Sequence, residues 1–200
     1  MCNCSCGSEE KKNALLQTAF DLFRDKGFAK TTISDIVSDA GLAKGTFYLY
    51  FKDKYDLRDK LIAFKAGQLF DDAHHALDQE QILSFEDEIL FMTDYIIGRF
   101  ETDQALIKFL AKNLSWGVFQ DTFSTTSAVV SEKFYTHYLN SLEKYQVNCT
   151  SPELMLFTII ELIGSTSYNC ILRNQPVTMK EYMPYLHKSL HKILEVFIKA

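Results

Sequence analysis

The densest chemistry in this chain lies between Thr31 and Lys54, in the run TTISDIVSDAGLAKGTFYLYFKDK. Hydroxyls, phenols, a glycine and lysines recur there at short spacing, and these are groups that contact nucleic acid. Lys44 supplies a cation for a base edge or a phosphate. Gly45 lets the backbone approach a duplex closely. Thr46 offers a hydroxyl, and its methyl can meet a thymine methyl, as can Leu49. Tyr48 and Tyr50 can donate phenolic protons to phosphates. Thr32 adds a backbone amide and a hydroxyl for a phosphate, and Lys54 can clamp the DNA backbone. Phe47 and Phe51 have the i, i+4 spacing of a buried face.

Other reactive residue types form no such set. The chain has no Gly-rich phosphate loop, no G-x-S-x-G elbow and no H-E-x-x-H, so it reads as no enzyme. Glu86 and Asp87 suit the first turn of a helix better than acid–base work. His74 and His75 are adjacent and do not share a helix face, which predicts solvent-exposed helix. His187 and His191 have a spacing that permits a metal on a helix, but no third ligand accompanies them; with His137 they read as structural. Cys2, Cys4 and Cys6 lie in a tail of small polar residues expected to be disordered. Cys149 and Cys170 read as packed small apolar residues. No metal site or cofactor is expected.

The elements that must position these groups are helices throughout. Leu15, Leu16, Ala19, Phe20 and Phe23 form one helical stripe closed at Gly27. Thr32 and Asp35 stand in capping-box spacing before Ile33, Ile36, Val37 and Ala40, and Gly41 ends that short helix. A third helix spans about Lys44 to Tyr50. A fourth follows Asp53 with the stripe Leu57, Leu61, Ile62, Phe64, Leu69. Later starts are predicted at Ser84 with Asp87, at Thr102, at about Ser127, at Ser151-Pro152 and at Thr178 with Glu181, where Pro184 sits near the first turn. Asn113 to Ser127 is rich in Gly, Ser and Thr and reads as a break. No period-two alternation marks a strand. A short helix, a glycine turn and a second short helix make helix-turn-helix spacing.

The whole-chain charge of −5 argues against a nucleic-acid partner at first sight. Divided at Lys65, the chain has 11 Lys+Arg against 9 Asp+Glu in its first part, a net of +2, and 10 against 17 in the remainder, a net of −7. The acidity belongs to the C-terminal part, and a local basic field remains available to phosphates. The odd cysteine count and the lack of a visible secretory signal point to a reducing cytoplasm. The longest apolar run, Leu154 to Ile163, is broken by Thr158 and Glu161, so no membrane partner is expected.

The N-terminal third resembles the TetR family of bacterial regulators. The resemblance rests on Thr31-Thr32-x-x-x-Ile36, Gly41, and Lys44-Gly45-Thr46-x-Tyr48-x-Tyr50-Phe51-x-x-Lys54-x-x-Leu57, preceded by Ala19, Phe20, Phe23 and Gly27-Phe28. It covers about the first 65 residues. Ala43 departs from it, since the family often has a Ser or Thr cap there; the missing cap costs on the order of 1 kcal/mol. The resemblance implies an all-α chain: an N-terminal three-helix helix-turn-helix DNA-binding domain at 9–53, after a disordered tail at 1–8, and a C-terminal helical ligand-binding and dimerisation domain at 54–200. It implies a transcriptional regulator, a repressor that binds a palindromic double-stranded DNA operator as a homodimer. A small hydrophobic or aromatic molecule would release it. The alternatives are an all-helical enzyme and a protein-interaction module, each using a C-terminal aromatic cavity. The aromatic residues expected in that pocket are Phe91, Tyr95, Phe109, Trp116, Phe134 and Tyr138. The acidity of this part favours neutral or cationic ligands, which aromatic faces also attract. The last two helices, about Pro152–Leu172 and Met179–Ile198, are the expected dimer surface, with Gly164-Ser165-Thr166-Ser167 a patch where a helix can approach closely.

Overall fold

The computed structural model describes residues 6–111 and 129–199, and every element among them is helical apart from a single bridge between Cys149 and Ile198. In chain order the helices are α1 (Cys6–Asp25), α2 (Ile33–Asp39), α3 (Lys44–Tyr50), α4 (Lys54–Leu77), α5 (Phe85–Thr102), α6 (Gln104–Ala111), α7 (Val129–Lys144), α8 (Pro152–Arg173) and α9 (Met179–Phe197). Helix α1 starts at Cys6, inside the tail expected at 1–8. Cys2, Cys4, the expected break at 113–127 and Trp116 lie outside the described residues.

The chain divides into two compact units at Phe64/Lys65, eleven residues later than the expected boundary at 53. The reason is α4. Its first half carries Leu57, Leu61 and Ile62, all at most 1 % exposed, and it ties itself to the preceding helices. The Lys54 ammonium donates to the Phe28 carbonyl at 2.7 Å and the Thr31 carbonyl at 2.8 Å, and Lys60 donates to the Tyr50 carbonyl at 3.0 Å.

In the first unit, the predicted apolar stripe of α1, the α2 capping box and the Phe47/Phe51 pair are all seen in the structure. Leu15, Leu16, Ala19, Phe20 and Phe23 on α1 are buried with Ile36 and Val37 of α2 and with Phe47 and Phe51. The Thr32 hydroxyl caps α2 by accepting from the Asp35 amide, and the Asp35 carboxylate accepts from the Thr32 amide at 2.9 Å. Those hydrogen bonds from Thr32 hold the Asp35 carboxyl below its ordinary range. Helix α2 ends in a paired reverse turn: the Leu42 amide donates to Val37 and the Gly41 amide to Ser38, with Gly41 at φ +65°. That is the Schellman arrangement, and its left-handed residue is the reason for a glycine at 41. Ala43 leaves α3 without a side-chain cap, as the sequence predicts. Asp53 caps α4 instead, accepting from the amides of Tyr55 and Asp56.

The second unit packs around α8. Met155, Leu156, Ile159, Ile163 and Cys170 are buried with Leu186, Leu190 and Leu194 of α9, Phe85 and Ile97 of α5, and Tyr138 and Leu142 of α7. The Tyr138 hydroxyl donates to the Pro152 carbonyl at 2.9 Å, fixing α7 on the start of α8. Two caps match their predicted boxes: Ser84 accepts from the Asp87 amide, and Thr178 exchanges hydrogen bonds with Glu181. One start differs. Asp103, not Thr102, caps α6, accepting from the amides of Ala105 and Leu106, while Thr102 bonds back to Gly98 and Arg99 within α5. A carboxylate beside a hydroxyl is the stronger acceptor for those amides. His187 and His191 pair across to α5, with Asp94 and Glu86 at 2.7 Å each. Helix α8 is 22 residues long and contains an 18-residue stretch with a mean hydropathy of 1.4, long and apolar enough to cross a membrane by length and composition. Counting unbroken apolar runs hid this, because Thr158 and Glu161 interrupt the run while the apolar residues on either side keep the mean of the stretch high. About a third of that stretch is buried within the chain.

Candidate functional site

Two sites emerge, one in each unit. The first is the outward face of α3. Phe47 at 0 % exposure and Phe51 at 2 % anchor the helix, their rings 5.4 Å apart, and the i, i+4 pair dictates what points the other way. Lys44 and Gly45 are exposed, Tyr48 is 54 % exposed and Leu49 79 %. An exposed leucine and tyrosine side by side on a seven-residue helix gain nothing from the chain's own core. Tyr48 keeps its ring edge-on to Phe47 at 5.4 Å, so its phenol is aimed by the core beneath it. Thr46 and Tyr50 are half-buried, and the Tyr50 hydroxyl is shared with that of Ser8 on α1 at 3.0 Å. Gly45 has no atom within 4 Å of where a Cβ would stand, and its φ is not positive. Nothing inside the chain therefore requires a glycine there.

Besides Tyr50, two of the residues singled out for phosphates are engaged within the chain. Thr32 is exposed, but its amide is held by the Asp35 carboxylate and its hydroxyl oxygen accepts from the Asp35 amide, leaving the hydroxyl proton as its outward group. Lys54 has two of its three protons on the Phe28 and Thr31 carbonyls and sits 4.4 Å above the Phe28 ring. Its first role is to fasten the α1–α2 connection, and with it Thr32, to α4. Spacing showed a lysine near the helix start but not the two carbonyls that a turn through Gly27 presents to it.

The second site is a cavity of about 100 Å³ in the second unit. Its wall is formed by Ala66, Leu69, Phe70 and His74 of α4, Glu88, Ile89, Met92, Thr93, Ile96 and Phe100 of α5, Leu110 of α6, Phe134 and Tyr138 of α7, and Leu156, Ile159, Ile160, Ile163 and Gly164 of α8. Phe70 and Phe134 stack with centroids 3.9 Å apart. Of the six aromatic residues picked from the sequence, Phe134 and Tyr138 line this cavity. Phe91, Tyr95 and Phe109 are half-buried and are not among its lining residues. Aromatic type selected them, whereas the cavity-facing stripe of α5 runs through Ile89, Met92, Thr93, Ile96 and Phe100, from which Phe91 and Tyr95 are offset.

The polar groups of the cavity were not singled out in advance. Glu88 is 5 % exposed and accepts from the Ser141 hydroxyl. Thr93 donates to the Ile89 carbonyl at 2.7 Å. His74 lines the wall, contrary to the expectation of exposed helix for His74-His75; His75 is exposed. The Nε2 of His74 is buried and has no hydrogen-bond partner among the described residues. Burial, then the His137 ring at 4.5 Å, lowers its pKa, favouring the neutral imidazole. Burial also drives the Tyr138 phenol up, so it remains a proton donor. The spacing Ala66, Phe70, His74 already placed this histidine on the inward stripe. No group of three or more His, Cys, Asp or Glu able to hold a metal is found among the described residues.

The profile of the bacterial regulatory proteins of the tetR family matches residues 15–61. The chain is 53 % identical over 45 residues to the HTH-type transcriptional regulator YerO of Bacillus subtilis (strain 168), a match covering 22 % of this chain and 16 % of YerO. It is 23 % identical over 193 residues to the regulator YhgD of the same organism, covering 96 % of both. Among solved structures, the transcriptional regulator FadR from Bacillus subtilis in complex with stearoyl-CoA superposes with a TM-score of 0.60 at 17 % identity, covering 88 % of this chain and 96 % of that one. The 53 % identity extends over 45 residues, while the fold is shared across nearly the full length.

Proposed function

Because residues 15–61 match the profile of the bacterial regulatory proteins of the tetR family, we propose that this chain is a dimeric transcriptional repressor of that family, released from its operator by an apolar small molecule. The observation that carries this reading is the outward face of α3. Lys44, Gly45, Tyr48 and Leu49 are presented to solvent on a helix whose other side, Phe47 and Phe51, is locked in the core. Such a helix enters a major groove with its N-terminal residues at the base edges. In this reading Lys44, Gly45, Thr46 and Leu49 meet bases and the nearby backbone. Tyr48, Tyr50 and the Thr32 hydroxyl meet phosphates. Lys54 holds the Thr32 turn in place and offers its third proton outward.

Two heads on one duplex require a two-fold dimer. The apolar helix α8, only about a third buried by its own chain, and exposed apolar residues Leu154, Tyr185 and Val196 on α8 and α9 support pairing of these helices with a second copy. The near-wholly apolar cavity supports an apolar effector. Helix α4 bears cavity residues from Ala66 to His74 and the clamp residue Lys54, so it is the element through which occupancy biases the spacing of the heads. The effector acts only through its differential affinity for the two states.

The direct test is duplex binding by wild type and Tyr48→Phe as salt is raised. Binding falls steeply with salt, and removing the exposed hydroxyl weakens it while leaving the ring on Phe47 and the fold intact. Affinity insensitive to both salt and Tyr48→Phe rejects the interface.

A further inference from the structure

We propose that the cavity of the second unit is built for an apolar molecule with a cationic, proton-donating head, an alkyl or aryl amine, received by Glu88. This rests on the reading of that cavity as an effector site and names the chemical class it takes.

The cavity places a charge inside an apolar enclosure. Glu88 lines the cavity at 5 % exposure, and the group that donates to it there is the neutral hydroxyl of Ser141. A buried carboxylate whose partner is neutral carries an electrostatic cost that a cation removes. Among the described residues no lysine or arginine lines the cavity. Lys144 feels Glu88 at a distance, but its ammonium is directed to the Tyr145 hydroxyl at 3.0 Å. The cavity's other ionisable lining groups do not counter the carboxylate. His74 is kept toward its neutral form by burial and by His137, and Tyr138 keeps its proton. Neutral His74 adds a hydrogen-bonding nitrogen without repelling a cation. The stacked Phe70 and Phe134 and the rest of the apolar wall accept the hydrocarbon. A carboxylate or phosphate head, by contrast, would be brought beside Glu88 with no lysine or arginine among the described lining residues to neutralise either.

The test uses the full chain and probes that share one tail: decylammonium, decanol and decanoate, with decanoyl-CoA as a fourth, each titrated by calorimetry. Decylammonium binds about 10-fold or more tighter than decanoate, with decanol between them, in keeping with the strength of a charge-assisted hydrogen bond. Glu88→Gln abolishes that order, and Ser141→Ala, which leaves the carboxylate in place, preserves it. Equal or tighter binding of decanoate or decanoyl-CoA, an order unchanged in Glu88→Gln, or no binding by decylammonium overturns the proposal. Should Glu88→Gln fail to fold, the head-group order in the wild type and in Ser141→Ala decides it. Duplex release is read separately: decylammonium that binds with the stated order but releases no DNA leaves this inference standing and counts against the regulatory reading.

Discussion

Replacing Gly45 by alanine separates what the fold needs from what a duplex needs. Gly45 is the second residue of α3, is exposed, and has open space where a Cβ would stand. Its backbone is not in the left-handed region, so alanine meets no strain. Within a helix, glycine is less favourable than alanine by about 0.5–1 kcal/mol. Gly45→Ala should therefore stabilise the first unit by up to that amount. On DNA the sign reverses. A methyl group between the α3 backbone and the duplex displaces the helix, losing contact worth about 1 kcal/mol per head, the scale of one hydrogen bond. Two heads lose about 2 kcal/mol, which is about 30-fold in affinity. Thermal unfolding and fluorescence anisotropy with a bound duplex, at one fixed salt concentration, measure both sides. A variant more stable than wild type that binds DNA equally well refutes the placement of α3 against the duplex.

Three further outcomes follow from the same geometry. Lys54→Ala leaves the partly buried carbonyls of Phe28 and Thr31 without their shared donor and should cost about 1–3 kcal/mol in urea unfolding; an unchanged midpoint refutes the clamp. The Asp35 carboxyl titrates below its ordinary value of 3.8, so its capping contribution is present above that pH and is lost as pH falls through the lower folded value. Asp35→Asn should flatten the acid limb of the stability curve, and an unaltered limb excludes the cap as its source. His74 is likewise depressed, from 6.5, by burial and His137, partly opposed by Asp78 and Asp71. Stability held at neutral pH is lost as pH drops below 6.5, because the unfolded chain binds the proton first. His74→Phe should shrink the difference in melting temperature between pH 7.5 and pH 5; an undiminished difference means another group titrates.

Local rules carried the first unit because its signals are short-range. A capping box at Thr32 and Asp35, a glycine after α2 and a phenylalanine pair four apart each act within one turn, and each is seen in the structure. Lys54 is different: its partners lie 26 and 23 residues back, and only the folded turn at Gly27 brings those carbonyls to it. The second unit was legible as helices but not as a cavity. Which residues face inward depends on how α4, α5, α7 and α8 pack, so choosing aromatics by type reached Phe134 and Tyr138 but put forward Phe91 and Tyr95, one face away. Glu88 follows Glu86 and Asp87 in the first turn after the Ser84 cap, and nothing in the sequence sets it apart from those two acids. Its burial against Ser141 of α7, 53 residues on, is a tertiary fact. The segment charges of +2 and −7 are compatible with this arrangement, although the order of Thr, Gly, Lys and Tyr around α3 is what pointed to the proposed interface.

The central claim is that α3 reads DNA from a two-fold dimer, and selection of bound duplexes from a random pool by the full chain tests it most directly. The account predicts recovery of one inverted repeat with half-site centres spaced by about 10 base pairs or a multiple, and a shift in the preferred bases when Thr46 is replaced. Recovery of no common sequence, or of one that Thr46 replacement leaves untouched, contradicts it.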